Sequence, residues 1–498
     1  MKNVAFHNLG CKVNSYELDV MQQMLVEKGY RIVPFDEIAD IYIVNTCTVT
    51  NIADRKSRQM LHRAKQKNPN AIVVAVGCYV QTGKENVELD ESIDLAIGNN
   101  RKKDLAVILE EFLARREREE TAQVQERAER LQRQAGRLQE KTLDDTTVID
   151  INNTYEYEEM TLKQTAEHTR AYIKIQDGCN QFCAYCAIPL ARGRVRSRRA
   201  EDIIREITGM VEAGYKEIVL TGIHISSYGI DFDGEKWKQG ECVETHRTKE
   251  RRDYSGSSKL IDLVERIHDI EGLKRIRLGS LEPRIVTEET AKRLAALPKV
   301  CPHFHLSLQS GCNATLKRMN RHYTTEEYYR SVEFLRNAFA HPAITTDVIV
   351  GFPGETEEEF LQTKAFLQKV GFYEMHIFKY SKRAKTSAAV MPNQVPEPVK
   401  NERSNELLTL EKEQSKQFRS RYFGQAAEVL LEEQKEISGK SYFLGHTKDY
   451  VRIALPMDKQ ALLQEAGLSS NMLVEVRVKG FLTEEILFAS EILMMKKQ

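Results

Sequence analysis

The sequence lacks an apolar run long enough to cross a membrane. Its richest apolar stretch, Ala71–Val80, has only the length of a β-strand, whereas a membrane helix needs about 20 predominantly apolar residues. The N-terminus enters a strand pattern directly at Val4, so no export signal is predicted. We therefore expect a cytoplasmic protein.

Net charge is absent too, because 73 Lys and Arg residues are balanced by 73 Asp and Glu residues. This balance excludes a protein that coats nucleic acid through overall positive charge, so any RNA contact must come from a local basic patch. The length of 498 residues predicts about three domains. Their predicted bounds are 1–114, 169–400 and 424–493, with a charged connector at 115–168 and a linking helix at 401–423.

The chain has nine cysteines, an odd number that cannot all be paired in disulfide bonds within the chain. Without an export signal, metal ligation or redox chemistry explains them better than disulfide bonds do. Six of the nine form two groups of three with very different spacings. These are Cys11, Cys47 and Cys78, and Cys179, Cys183 and Cys186.

Residues 1–114 alternate between strand and helix patterns, which predicts a doubly wound parallel sheet. The strand patterns are Val4–Phe6, Ile32–Phe35, Ile41–Val44, Ala71–Val76 and Ile93–Ile97, and the later helix patterns are Ala53–Lys67 and Lys103–Leu113. Cys11, Cys47 and Cys78 each follow the end of a strand, at the edge where such sheets bind ligands. We therefore expect the three thiols to lie together.

Three thiolates without a nearby fourth ligand fit either a [4Fe–4S] cluster with one open iron or a zinc site with an exogenous ligand. The alternative is three structural cysteines, because free cysteine is often buried.

Two segments have the composition of solvated surface. Residues 115–168 begin with a run of Arg, Glu and Gln that continues to about Lys141 and offers little apolar stripe. A tRNA-binding arm is the alternative to a connector, but the acidic residues nearly cancel the basic ones. Residues 231–258, which include Cys242, are predicted to form a polar insertion.

The second cysteine group follows the strand pattern Tyr172–Ile175 with the spacing C-x3-C-x2-C. No fourth Cys or His follows closely, whereas a zinc knuckle needs one. A [4Fe–4S] cluster held by three thiolates would keep one iron open for a small chelating molecule.

This triplet, with Tyr185 directly before its last cysteine, resembles that of the radical S-adenosylmethionine enzymes. The resemblance implies that S-adenosylmethionine chelates the open iron and is cleaved by an electron to give a 5′-deoxyadenosyl radical. It also implies a partial (β/α)6 barrel, and residues 169–400 show six strand patterns separated by helix patterns. The strands are Tyr172–Ile175, Glu217–Thr221, Arg275–Leu278, Phe304–Leu308, Thr346–Val350 and Glu374–Tyr380.

Catalytic groups in such barrels lie at the C-terminal strand ends. Ser280, Glu282, Gln309 and Asp347 occupy such positions, although each could be an ordinary strand-end polar residue. Of these, Ser280, Glu282 and Gln309, together with Tyr185, are predicted to contact S-adenosylmethionine.

Two basic clusters lie in the same domain. Arg192, Arg194, Arg196 and Arg198 alternate with other residues, so an extended backbone would place four guanidinium groups on one side to bind phosphate or carboxylate. A solvated basic loop is the alternative. The second cluster is Lys317–Arg321.

Residues 424–493 contain several short strand patterns, which predict a small antiparallel β-barrel. Its place after the central domain resembles that of the TRAM domain, an RNA-binding module. Basic side chains could contact phosphates, and a purely structural barrel is the alternative. These side chains are Lys448, Arg452, Arg477 and Lys479.

The order of the three domains resembles that of the radical S-adenosylmethionine methylthiotransferases. The resemblance implies two [4Fe–4S] clusters, with Cys179, Cys183 and Cys186 holding the radical-generating one and Cys11, Cys47 and Cys78 the auxiliary one. One S-adenosylmethionine would methylate sulfur at the auxiliary cluster, and another would yield the radical that abstracts hydrogen from the substrate carbon. A reductant such as flavodoxin or ferredoxin and a sulfur donor are implied as partners.

The segment Asn8–Asn14 resembles the branch that modifies C2 of N6-threonylcarbamoyladenosine at position 37 of tRNA, in the anticodon loop. Branches that act on isopentenyladenosine-37 or on an aspartate of a ribosomal protein remain alternatives. A non-catalytic iron–sulfur RNA-binding protein is the alternative from a different class.

Overall fold

The computed structural model describes residues 1–130, 146–163, 169–232, 258–457 and 468–495. None of the helices in these ranges is long and apolar enough to cross a membrane. The chain divides into two compact units. The first comprises Met1–Gln164, Asp177–Asn180 and Cys186–Arg196, and the second comprises Thr165–Gln176, Gln181–Tyr185 and Ser197–Gln498.

A six-stranded parallel sheet with the order β2-β1-β3-β4-β5-β6 forms the first unit. Its strands are β1 (Asn3–Asn8), β2 (Arg31–Val33), β3 (Ile41–Thr46), β4 (Ile72–Gly77), β5 (Leu95–Ile97) and β6 (Thr146–Thr147). Its first helices are α1 (Lys12–Glu27), α2 (Asn51–Lys67), α3 (Cys78–Thr82) and α4 (Lys84–Glu88). Strands β3 and β4 are buried along their whole length, as expected for central parallel strands. The predicted doubly wound sheet is confirmed.

The start of the predicted connector continues a helix of the first unit and does not form a separate segment. Helix α5 spans Leu105–Arg130, where the sequence pattern predicted an end at Leu113, because the Arg, Glu and Gln residues that follow are good helix formers. Residues 146–163 also belong to the first unit: β6 extends the sheet, and the buried Met160 accepts a hydrogen bond from Tyr16 through its carbonyl oxygen. The rest of the predicted connector, 131–145 and 164–168, and most of the predicted insertion, including Cys242, lie outside the described residues.

Seven strands form the central barrel in the described part of the chain. They are β7 (Ala171–Asp177), β8 (Arg196–Ser197), β9 (Glu217–Gly222), β10 (Arg275–Leu278), β11 (His303–His305), β12 (Ala343–Val350) and β13 (Glu374–Lys379). The pairs β7·β9, β9·β10, β11·β12 and β12·β13 are parallel. The sheet β10-β9-β7-β8 meets the sheet β11-β12-β13 through the single bridges Ile276–Val300 and Leu281–Leu306. The predicted partial barrel is thus confirmed. Strand β11 ends at His305 instead of the predicted Leu308, and Gln309 soon after has a φ of 74°.

Helices lie between the strands of the central barrel. They are α6 (Ile188–Arg192), α7 (Ala200–Glu212), α8 (Lys259–His268), α9 (Glu288–Ala295), α10 (Asn313–Arg318), α11 (Thr325–Ala338) and α12 (Glu357–Val370). Three of them begin at a threonine whose hydroxyl accepts a backbone N–H while the third helical residue reaches back, which fixes where each helix starts. The three caps are Thr287, Thr324 and Thr356.

Helix α13 (Glu397–Ser420) leads to a closed five-stranded barrel. Its strands are β14 (Ala426–Ile437), β15 (Lys440–His446), β16 (Arg452–Pro456), β17 (Leu473–Phe481) and β18 (Leu487–Met495). All neighbours are antiparallel except β16 and β18, which pair in parallel. Alternate residues along a strand point into the barrel core, as Val474, Val476 and Val478 of β17 do.

A loop of this C-terminal barrel caps the N-terminal end of the central barrel. Arg275 donates to the carbonyl oxygen of His446 over 2.9 Å, and Arg277 to that of Lys448 over 2.9 Å. The guanidinium of Arg277 also lies 4.7 Å from the ring centre of Tyr450. Glu217 of β9 pairs with both arginines. The buried charges are therefore paired where the two barrels meet.

Candidate functional site

The structure brings Cys11, Cys47 and Cys78 together at one edge of the first unit. They follow the ends of β1, β3 and β4, and β3 lies between the other two strands. Cys47 and Cys78 are buried, whereas Cys11 is exposed as a residue, although burial still raises the pKa of its thiol. Burial raises the pKa of the Cys47 thiol to about 11, and the neighbouring Cys78 adds to this shift.

Gly10 allows the strand ends to approach each other. Its φ is +112°, and a Cβ at this position would lie 2.9 Å from Asn14 Nδ2 and 3.2 Å from Cys47 Sγ. A side chain here would therefore be strained and would push against the thiol group. Asn14 donates to the carbonyl oxygens of Leu9 and Thr46 over 2.7 and 3.0 Å. It thereby ties together the ends of β1 and β3.

A buried charge network supports this group of thiols. Arg192 pairs with Glu17 over 2.5 Å and with Asp177 over 3.2 Å, and it donates to Asn14 Oδ1 over 2.6 Å. Lys102 contacts the other oxygen of Glu17 over 2.5 Å. Burial alone would lower the pKa of Arg192, but Glu17 and Cys78 raise it well above its ordinary value. A permanent positive charge therefore lies beside the thiols.

The predicted phosphate-binding row of arginines is wrong. Arg192, Arg196 and Arg198 are almost completely buried, and only Arg194 is half-buried. The backbone is not extended throughout, because Arg192 ends α6 and Gly193 has a φ of +67°. Arg198 pairs with Glu206. These side chains hold the fold together.

Asn99 contacts the first group of thiols, which the sequence did not indicate. Its side-chain nitrogen donates to the carbonyl oxygen of Ala191 over 2.7 Å and lies 3.5 Å from Cys78 Sγ. Its buried Oδ1 has no hydrogen-bond partner among the described residues.

The second cysteine group lies on the loop after β7, and all three thiols are half-buried. Cys179 and Cys186 belong to the first unit, in which the Cys179 N–H donates to Gly193 over 3.0 Å. Cys183 belongs to the second unit, where Arg321 Nη1 lies 3.1 Å from its sulfur. Asn320 donates to the carbonyl oxygen of Phe182 over 2.9 Å. Part of the predicted basic cluster at 317–321 thus supports the cysteine loop.

The residues predicted to bind S-adenosylmethionine differ in their surroundings. Tyr185 packs edge-on against Phe352 with ring centres 6.4 Å apart. Ser280 is exposed after β10, and Gln309 is buried with its N–H bonded to the carbonyl oxygen of Asp347. Glu282 is buried and bonds Arg284 over 2.7 Å, while its Oε2 has no hydrogen-bond partner in the described part of the chain.

Glu282 and the cysteine loop share an electrostatic environment. Burial raises the pKa of Glu282, and the nearby Arg284 and Arg321 partly oppose this shift. Because Arg321 also contacts Cys183, the structure links a predicted cofactor residue to a predicted cluster ligand.

His224, on the loop after β9, was missed by sequence reasoning. Its Nδ1 lies 2.7 Å from Ser227 Oγ, and its buried Nε2 has no partner within the described ranges. Burial, together with the charges of Arg321 and Arg284, lowers the pKa of His224 to about 3. It is therefore a neutral imidazole at physiological pH, and a lone histidine in a loop carries no signal that would have revealed this.

Both cysteine groups fit a [4Fe–4S] cluster by their donor chemistry. Each supplies three thiols, and each has an arginine beside it. Three thiolates suit a cluster with one open iron.

Comparisons with known proteins agree with these features. The model of the Radical SAM superfamily matches residues 173–367, and the model described as Uncharacterized protein family UPF0004 matches residues 3–98. The threonylcarbamoyladenosine tRNA methylthiotransferase MtaB of Bacillus subtilis is 38% identical over 454 residues, which cover 91% of this chain and 90% of that protein. The chain belongs to the radical S-adenosylmethionine tRNA methylthiotransferases.

This methylthiotransferase is therefore a transferase acting on tRNA, and the non-catalytic alternative is excluded. The cofactors of such enzymes are [4Fe–4S] clusters and S-adenosylmethionine, and two clusters are typical. A tRNA-2-methylthio-N(6)-dimethylallyladenosine synthase of Thermoanaerobacter sp. is 34% identical, covering 86% of this chain and 83% of that protein. The solved radical S-adenosylmethionine methyltransferase TsrM from Kitasatospora setae has a TM-score of 0.50 and 16% identity, covers 78% of this chain and 77% of its own, and thus shares the fold.

Proposed function

We propose that this methylthiotransferase inserts a methylthio group at C2 of N6-threonylcarbamoyladenosine-37 of tRNA. The observation that carries the chemistry is the pair of three-thiol groups, each beside an arginine. The choice of adenosine is supported by the name and 38% identity of the Bacillus subtilis relative. A cytoplasmic location suits a tRNA substrate.

Cys179, Cys183 and Cys186 are the proposed ligands of the radical-generating cluster, and Arg321 holds the sulfur of Cys183. When bound, this cluster supplies the electron that cleaves S-adenosylmethionine to a radical able to remove hydrogen from an unreactive carbon. The buried Oε2 of Glu282, which has no hydrogen-bond partner among the described residues, can accept an N–H or O–H of S-adenosylmethionine. Tyr185, Ser280 and Gln309 are the other proposed contacts.

Cys11, Cys47 and Cys78 are the proposed ligands of the auxiliary cluster. Arg192, which also contacts Glu17 and Asp177, supplies positive charge beside these thiols. The proposed reaction also needs a reductant such as flavodoxin or ferredoxin and a sulfur donor.

Mass spectrometry of tRNA nucleosides from a strain lacking this gene tests the substrate. We expect the 2-methylthio derivative of N6-threonylcarbamoyladenosine to disappear while its unmethylthiolated form accumulates. Loss of the dimethylallyl derivative instead would assign the enzyme to the other tRNA branch. No change in either nucleoside would contradict a tRNA substrate.

The ligand assignment predicts the iron content. Anaerobically reconstituted protein should bind about eight irons, four per cluster. Replacing Cys179, Cys183 and Cys186 together by Ala should leave about four, because the auxiliary thiols are untouched. Iron analysis and absorption spectra of both proteins provide the measurement. Retention of about eight irons by the triple variant would show that the ligands lie elsewhere.

The C-terminal barrel is proposed to hold tRNA phosphates, as a TRAM domain would. Arg477 and Lys479 of β17 are exposed, and Arg477 is paired only with Glu491 and a backbone oxygen among the described residues. Changing both to Gln should weaken tRNA binding. It should also make the logarithmic salt slope shallower by roughly 0.7–0.9 for each phosphate that the protein no longer neutralises.

Filter binding at several salt concentrations measures this slope. Lys292→Gln on the surface helix α9 is the matched control and should leave it unchanged. Point variants are preferable to deleting the barrel, because deletion would remove the carbonyl oxygens of His446 and Lys448 that the buried Arg275 and Arg277 contact. An unchanged slope in the double variant would mean that this part of the barrel does not hold RNA.

A further inference from the structure

Three polar side chains meet on neighbouring strands of the central barrel. His305 ends β11, Asp347 lies on β12 and His376 lies on β13, and one ligand atom from each lies within 4.8 Å of the others. The parallel register pairs His305 with Thr345 and Asp347 with His376. We call these three residues the lumen triad.

The alternation of side chains places the lumen triad on the inner face of the barrel. Phe304 packs against Phe339, which directly follows α11, and Thr346 lies 3.5 Å from the hydroxyl of Tyr328 on α11, so both face the outer helices. Their neighbours His305 and Asp347 must point to the opposite face.

Within the second unit, the triad lies one layer below Tyr185. Ile349, two residues beyond Asp347 on the same face, packs in the cluster that contains Tyr185. Two strand residues span about 6–7 Å. A molecule that reaches past the predicted cofactor residue Tyr185 would therefore meet the triad next.

The three residues of the lumen triad differ in how free they are to bind a ligand. His305 has its Nδ1 3.0 Å from Thr345 Oγ1 and its Nε2 3.3 Å from Asp347 Oδ2, so it is held inside the protein. His376 stacks on His305 with ring centres 5.9 Å apart and is exposed. Its ring nitrogens make no hydrogen bond within the described part of the chain. It also lines a cavity of about 780 Å³ together with residues of α13 and the C-terminal barrel, such as Lys412 and Arg452, and neither His305 nor Asp347 lines that cavity.

We propose that the lumen triad recognises the polar substituent on N6 of the substrate adenosine. His376 donates a hydrogen bond to the carboxylate of the threonylcarbamoyl group. The second oxygen of Asp347 accepts one from its ureido N–H or hydroxyl, and His305 positions Asp347. This inference rests on the proposed function, and it assigns the residues that select the substrate.

The chemistry of the two candidate adenosines favours this role. A dimethylallyl group has no hydrogen-bonding atoms, so burying it here would strip water from Asp347 and His376 without replacing it. Sites with buried polar groups reject ligands that leave them unpaired far more strongly than apolar pockets reject small size differences. The triad therefore suits a polar substituent and disfavours an apolar one.

Steady-state kinetics of the reconstituted full-length enzyme test the proposal, with tRNA that carries threonylcarbamoyladenosine-37. His376→Phe keeps a ring but removes the donor and should lower kcat/KM about tenfold to a hundredfold, the range for a lost hydrogen bond to a charged group. His376→Gln retains an N–H donor and should recover part of the loss. Cleavage of S-adenosylmethionine without tRNA should be unchanged in both variants.

The control is His268→Phe, a substitution at the end of α8 on the barrel exterior, which should leave kcat/KM unchanged. If the wild-type enzyme fails to convert this tRNA, the proposed function is wrong. If the wild type converts it and His376→Phe does so with kcat/KM within twofold, only the lumen proposal is wrong. One equivalent of Co²⁺ bound by the wild type and lost in His376→Phe would overturn the proposal in favour of a metal site.

Discussion

A Cys47→Ala variant should lose measurable methylthio transfer while still cleaving S-adenosylmethionine. Cys47 lies with Cys11 and Cys78, whereas radical generation is assigned to the separate triplet at residues 179–186. Removing one of three thiolates should release the auxiliary cluster, so sulfur has no carrier. Liquid chromatography of 5′-deoxyadenosine and of tRNA nucleosides from the same reaction separates the two activities.

The control for this variant is Cys301→Ala, which removes another buried cysteine far from both triplets in the sequence. It should keep methylthio transfer and both clusters. Undiminished transfer by Cys47→Ala would show that the first triplet has no catalytic part. Loss of 5′-deoxyadenosine formation as well would show that the two triplets do not act separately.

Replacing Arg192 by Met should destabilise the first unit by about 3–5 kcal/mol, the usual cost of removing one partner from a buried ion pair. Glu17 and Asp177 would then remain buried with too little positive charge, because Arg192 contacts both. Hydrogen exchange of peptides from α1 measures the loss in the full chain. Exchange should become roughly a hundredfold to a few thousandfold faster.

Two further variants identify the cause. Adding Asp177→Asn to Arg192→Met neutralises a buried carboxylate that has lost its contact with Arg192 and should recover part of the lost stability. Arg205→Met breaks an exposed pair with Asp202 and should change stability by less than about 1 kcal/mol. If Arg192→Met is as mild as Arg205→Met, the buried network does not stabilise the unit.

The periodic spacing of apolar residues along the sequence was enough to predict most of the fold. The strand patterns at residues 41–44 and 71–76 became β3 and β4, and the cysteines behind them fell at one sheet edge because parallel strands share their carboxyl ends. The end of α5 was predicted wrongly because the second half of this helix is polar and has no repeating apolar residues that would indicate a helix.

The arginine row shows what local spacing cannot reveal. Arg192, Arg196 and Arg198 alternate as exposed strand residues would, but their partners lie elsewhere in the sequence, Glu17 being 175 positions from Arg192. His376 was missed for a related reason. Only the register of β12 against β13 places it beside Asp347, and a single sequence does not contain that register.

The discontinuous first unit has a consequence for biosynthesis. Glu17 leaves the ribosome long before Arg192, which belongs to the same unit. Until residue 192 has emerged, the nascent chain holds a carboxylate that cannot be buried with its full complement of positive charge. Domains usually fold in order during translation. The first unit, however, cannot be completed until residues 186–196 have been synthesised. Iron–sulfur insertion at its thiols should therefore be a late, largely post-translational event.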